Sequence, residues 1–117
     1  MIWYHRRMKK LDIEKLLFIE ATLLVTGYLN RNDVIDRFGI TAKPATRALN
    51  MYRDQCPDQM EMRNIDGRLV FKKTDRCKPC LFKSRKKAEA YYNAVNVING
   101  LIEEASPNIN DTLKHKF

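Results

Sequence analysis

Five side chains with well-defined nucleic-acid chemistry fall within ten residues: Thr41, Lys43, Thr46, Arg47 and Asn50. On a helix they share the side left over once the apolar positions Ala45, Ala48 and Leu49 face inward. An arginine such as Arg47 bonds guanine through two parallel N–H donors, and an asparagine such as Asn50 does the same for adenine. Thr41 and Thr46 bond phosphate or lie beside a thymine. This is the inventory of a helix that reads base edges in the major groove of duplex DNA. A second group, Arg31, Arg63, Arg68, Lys72 and Lys73, offers cations to the phosphate backbone. The plainer reading is a helical hairpin with a solvated polar face, beside a β-hairpin that only covers a core.

Four regions must position these side chains. Residues 11–26 read as a helix: Ile13, Leu17, Ala21 and Leu24 recur at helical spacing, and Leu16, Leu23 and Val25 widen the stripe until burial is expected nearly all round. Asp12 is expected to cap its start and Gly27 to end it. Residues 30–54 read as two short helices. Asn30 and Asp33 resemble a capping box, Gly39 supplies the turn, Thr41 caps the second helix and Pro44 lies in its first turn. Val34, Ile35, Phe38 and Ile40 point inward, and small Ala45 lets the two helices cross closely. Residues 60–73 read as a β-hairpin around Asp66-Gly67.

Residues 84–105 read as a long helix. Ala88, Tyr91, Val95, Ile98, Ile102 and Ala105 form an a/d seam suited to packing on another helix, and Ser106-Pro107 is expected to close it. Tyr91, Val95, Ile98 and Ile102 are the expected dimer interface. The fold class is therefore mainly α with a small β-hairpin: a winged helix-turn-helix plus a long C-terminal helix. The divisions are a basic arm at 1–10, the winged domain at 11–80, a dimerisation helix at 81–106 and a mobile tail at 107–117.

Net charge is +8, and it is clustered. Residues 68–87 carry nine Lys or Arg against one acid, Asp75, which favours a polyanionic partner. No apolar run approaches the roughly 18 residues of a membrane span, and the start lacks the features of a signal peptide. A cytoplasmic, nucleoid-associated protein with no membrane partner is expected. The three cysteines, an odd number, argue against a disulfide framework. Cys77-Lys78-Pro79-Cys80 has the spacing of half a zinc site. A second pair is missing, so Cys56, His5 or His115 would have to complete it, and two thiols packed near the wing are the preferred reading. Glu20, on a mostly apolar helix, needs a partner, for which Arg31 and Arg47 are candidates. Trp3 and Tyr4 are expected to anchor the N-terminus. His5 and His115 lie at opposite ends, and no phosphate loop, zincin or hydrolase motif is present. No enzyme, cofactor or small-molecule ligand is expected.

The stretch Ile19-Glu20, Gly27, Leu29-Asn30-Arg31, Asp33, Phe38-Gly39-Ile40-Thr41, Ala45, Tyr52 and Pro57 resembles the N-terminal winged domain of WYL-domain transcriptional regulators. The nearest likeness is to those that control bacterial anti-phage defence islands, and it covers residues 11–75. The resemblance implies a homodimeric repressor on an inverted repeat of double-stranded DNA. No β-rich segment follows, so the ligand-sensing WYL domain and its effector are not carried over. A short stand-alone regulator from a mobile element is expected. The competing readings are an RNA or single-strand binder, a plasmid or phage replication or partition accessory, and a winged fold that has lost DNA binding.

Overall fold

A computed structural model describes the backbone of residues 9–116 and the side chains of residues 9–105. Residues 1–8 of the basic arm, Trp3, Tyr4 and His5 among them, and the side chain of His115 lie outside the described residues, while Lys10, the arm's last residue, opens the first helix. The elements are α1 (Lys10–Thr26), β1 (Tyr28–Leu29), α2 (Arg31–Phe38), α3 (Ala42–Gln55), β2 (Met60–Ile65), β3 (Arg68–Lys73) and α4 (Arg85–Lys116). No helix among the described residues is long and apolar enough to cross a membrane.

Helix α1 is the hub. One side carries Leu16, Ile19 and Leu23 into the main core, where they meet Leu29, Val34, Ala45, Ala48, Leu49, Tyr52, Phe71 and Val95. The other side carries Ala21 and Leu24 against Ala88 of α4, with Phe82, Tyr91 and Tyr92 closing over them. A helix buried on two sides needs apolar residues nearly all round, which is why its stripe is so wide. Asp12 does not cap it: the helix begins earlier, at Lys10, and Asp12 pairs with Lys15 at 3.6 Å one turn on.

The turns follow local chemistry. Asn30 and Asp33 exchange the two bonds of a capping box, at 3.0 and 2.9 Å. Gly39 ends α2 in the left-handed region at φ 61°, where a side chain would be strained. Thr41 takes the N-cap position of α3, but its hydroxyl makes no capping bond. Asp66 and Gly67 both have positive φ, 52° and 78°, as the tight hairpin turn between β2 and β3 requires.

The hairpin is extended by a third strand that periodicity does not reveal. β1 pairs antiparallel with β3, Leu29 opposite Phe71, giving the order β1-β3-β2. The α1 cap takes part, since Gly27 accepts a bond from the Lys73 amide at 2.9 Å. Two residues are too few to show alternation, so only the fold identifies them as a strand. Helix α4 also departs from expectation. It does not stop at Ser106-Pro107 but continues to Lys116. Proline removes one intrahelical bond, and here the helix bears that loss.

Candidate nucleic-acid interface

Helix α3 buries Ala45, Ala48, Leu49 and Tyr52, which holds its opposite face outward. Thr41, Lys43, Thr46, Arg47 and Asn50 are all exposed. Four of them, Lys43, Thr46, Arg47 and Asn50, line one depression of about 550 Å³ together with Arg31 from α2. Arg31 Nη1 lies 3.4 Å from Thr46 Oγ1, so the α2 cation is drawn onto the α3 face. Thr41 sits at the end of this row, at the mouth of the helix.

Arg53, beyond the five positions the sequence points to, belongs to the same face. It lies three residues after Asn50 and seven after Thr46, and is exposed. Extending the helical spacing by one turn would have found it. None of the ion pairs among the described residues involves Lys43, Arg47, Arg53 or Arg68. None of the four is held by a direct ion pair there, although the acid Asp54 lines the same depression as Lys43 and Arg47.

The wing cations divide in a way the sequence does not reveal. Register places Arg68, Val70 and Lys72 on one face of β3, and Leu69, Phe71 and Lys73 on the other. Phe71 is buried, so the second face is the inner one. Lys72 is exposed on the outer face, while Lys73 is half-buried on the inner face near Cys77. Arg63 is engaged by Glu61 two residues before it, at 2.8 Å, and that carboxylate raises its pKa further. Of the five backbone candidates, Arg31, Arg68 and Lys72 remain open to an anion from outside.

Glu20 has no arginine partner. Its carboxylate is fully buried and accepts four bonds: from the Tyr52 hydroxyl at 2.9 Å and from the amides of Cys80, Leu81 and Phe82 at 3.1, 2.8 and 2.8 Å. Three successive amides converging on one carboxylate satisfy its charge without a cation. Burial first, and then Glu20 itself, push the Tyr52 hydroxyl well above the usual phenol range, although a bond from Gln59 at 3.2 Å opposes this. Tyr52 is thus fixed as a donor to Glu20. Gln59 in turn donates to the Lys78 carbonyl at 2.5 Å and accepts from the Lys78 amide at 3.1 Å. The segment from wing to α4 is thereby tied to α1 and α3.

The same segment carries a covalent tie. Cys56, at the C-cap of α3, is bonded to Cys80 in a disulfide. This overturns both the expectation, from three cysteines, that none is held in a disulfide and the reading of Cys77 and Cys80 as a pair of thiols. Cys80 belongs with Cys56, and Cys77 packs instead against Ala21, Leu24 and Ala88. Glu20, Cys56 and Cys80 converge within 4.8 Å, but the two sulfurs are bonded to each other and the carboxylate is occupied by donors. Burial raises the pKa of the Cys77 thiol.

The expected dimer seam also divides. Val95 is buried in the chain's own core, and Tyr91 is half-buried beside it. Ile98 and Ile102 are 53% and 54% exposed, and Val97 and Leu101 beside them are more exposed still. The a/d pattern thus serves two purposes in sequence: its first half closes the monomer core, and its second half stands free of it.

Residues 12–97 match the family described as the BrxR transcriptional regulator winged helix-turn-helix domain. The match runs past the wing into α4 as far as the last turn that packs in the core. No curated protein matches the chain.

Proposed function

This chain belongs to the BrxR transcriptional regulator winged helix-turn-helix family, a DNA-binding regulator of transcription, and from that premise we propose how it engages its operator. Helix α3 enters the major groove. Arg47 and Asn50 read bases, Lys43 and Thr46 support them, and Thr41 meets the backbone at the helix mouth. The carrying observation is the single exposed face on which Lys43, Thr46, Arg47 and Asn50 converge with Arg31. Arg53, Arg68 and Lys72 neutralise flanking phosphates, and the wing lies along the backbone or the minor groove.

Two copies pair through the distal half of α4, each covering the Val97, Ile98, Leu101 and Ile102 surface of the other. Four large apolar residues exposed on adjacent turns form a contiguous patch of the kind that marks a protein interface. A two-fold dimer demands an inverted repeat with matched half-sites. Occupying such a site at a promoter represses it.

The test begins with selection of a duplex site from random sequence. Arg47→Ala is then expected to lose about 1–3 kcal/mol on that site and to relax specificity at one base pair. Lys72→Ala should weaken all sequences alike and flatten the salt dependence. Equal binding of duplex, single-stranded DNA and RNA at one salt concentration would instead favour the single-strand reading.

A further inference from the structure

Between the recognition helix and the wing runs a groove of about 590 Å³. Its cations are Arg31 and Arg53, from α2 and α3; Arg68 borders it at the start of β3, where register turns its side chain to the outer face. Its wing-side wall is not polar. Met62 and Leu69 project into it beside buried Phe71, and they are 50% and 58% exposed. Register explains this: Met62 lies opposite Phe71 on the inner face, and Leu69 is two residues before Phe71 on the same strand. The inner face of the wing therefore continues apolar beyond the edge of the core, where Met62 and Leu69 stay exposed among the described residues. On the α3 side the groove shares Thr46 and Asn50 with the base-reading face.

We infer that this groove seats one sugar–phosphate strand of the operator, and that its Met62–Leu69 wall selects deoxyribose over ribose. The inference rests on the DNA-binding reading and adds what recognises the sugar. A strand leaving the major groove beside α3 must pass between α3 and the wing. Its phosphates are complementary to the guanidiniums of Arg31 and Arg53, and Arg53 has no ion pair among the described residues. Its sugars then lie toward the wing. A deoxyribose presents a CH₂ at its 2′ position, which packs on Met62 and Leu69 with no polar group desolvated. A ribose presents a hydroxyl there, and burying a hydroxyl against an apolar wall without a partner is unfavourable. Phosphate contacts carry no such discrimination, because both backbones offer the same anion.

A ribose scan tests this on the full chain. One ribonucleotide at a time is placed along each strand of the selected operator duplex, so that the duplex stays close to B-form, and affinity is measured at fixed salt. Wild type is expected to lose on the order of tenfold at one or two adjacent positions per half-site and to tolerate ribose elsewhere. Leu69→Ser and Met62→Ser should bind the all-DNA site more weakly and show a smaller penalty at those positions. Both residues are exposed, so the fold is retained, and circular dichroism checks it. Substitution by 2′-fluoro, which keeps the ribose-like pucker but has no hydroxyl, should restore most of the affinity. A flat profile in wild type overturns the inference, as does an unchanged profile in both variants. A 2′-fluoro penalty equal to that of ribose does so too, since backbone shape would then be what is read. Failure of wild type to bind any selected duplex would instead overturn the DNA-binding reading itself.

Discussion

Replacing Glu20 by glutamine tests whether one buried carboxylate holds the recognition helix, the wing and α4 in register. The volume hardly changes and one carbonyl oxygen is kept, so the effect lies in hydrogen bonding. Oε1 accepts from the Tyr52 hydroxyl and the Cys80 amide, and Oε2 accepts from the amides of Leu81 and Phe82. Whichever way the new amide turns, its NH₂ end faces two donors. On the Oε2 side both donors are backbone N–H groups that cannot reverse. On the Oε1 side the tyrosine hydroxyl can turn and accept from the new amide, but the Cys80 N–H cannot reverse. One or two bonds to the carboxylate are therefore lost, each worth about 1.5–3 kcal/mol. The expected loss is about 1.5–6 kcal/mol, a large share of the roughly 5–15 kcal/mol that stabilises a domain. Urea unfolding followed by circular dichroism at neutral pH measures it, with the disulfide intact in both proteins. Tyr52→Phe removes the bond donated to Glu20 and the one accepted from Gln59, and should cost about 1–3 kcal/mol. A Glu20→Gln protein within about 1 kcal/mol of wild type would refute the reasoning, because charge-assisted bonds of that strength could not be present.

Four further outcomes are expected. Arg53→Ala should weaken operator binding and lower the salt slope by about one, whereas Arg63→Ala, whose guanidinium is already engaged by Glu61, should change the slope less; salt titrations of both variants separate them. Ile98→Asp with Leu101→Asp should yield a folded monomer by analytical ultracentrifugation, because both residues lie outside the core, while Val95→Asp should unfold the chain. Reducing the Cys56–Cys80 bond, which spans a sequence separation of 24, should lower stability by about 3.5 kcal/mol on the loop-entropy account, and thiol titration should find one free thiol before reduction and three after. Stability should also fall as pH rises above the ordinary thiol value of 9.0 and phenol value of 10.0, since Cys77, Tyr52 and Tyr91 all have raised pKa values in the fold. Their unfolded forms release protons first, each steepening the decline by up to about 1.4 kcal/mol per pH unit. Tyr52→Phe should make that alkaline slope shallower in urea titrations.

What the sequence determined by itself was local. The Asn30–Asp33 box, the left-handed turn at Gly39, the Asp66-Gly67 hairpin and the outward face of α3 all follow from residues within a turn or two of each other. Each is set by a hydrogen bond, a backbone conformation or a helical period that neighbours alone dictate. The polar face of the recognition helix was legible for the same reason: once Ala45, Ala48 and Leu49 turn inward, the remaining positions have nowhere else to point. Tertiary structure decided whatever depends on residues far apart in the chain. Glu20 meets amides sixty positions away instead of an arginine, because α1 passes beside the segment leading into α4. Cys80 bonds Cys56 and not its near neighbour Cys77, because the end of α3 and that same segment are brought together. β1 exists only because β3 offers it an edge, and Val95 belongs to the core only because α4 packs across α1. The two faces of the wing, one basic and one apolar beyond the core, emerge from a register that no single strand encodes, since which face is inner depends on what the sheet is packed against.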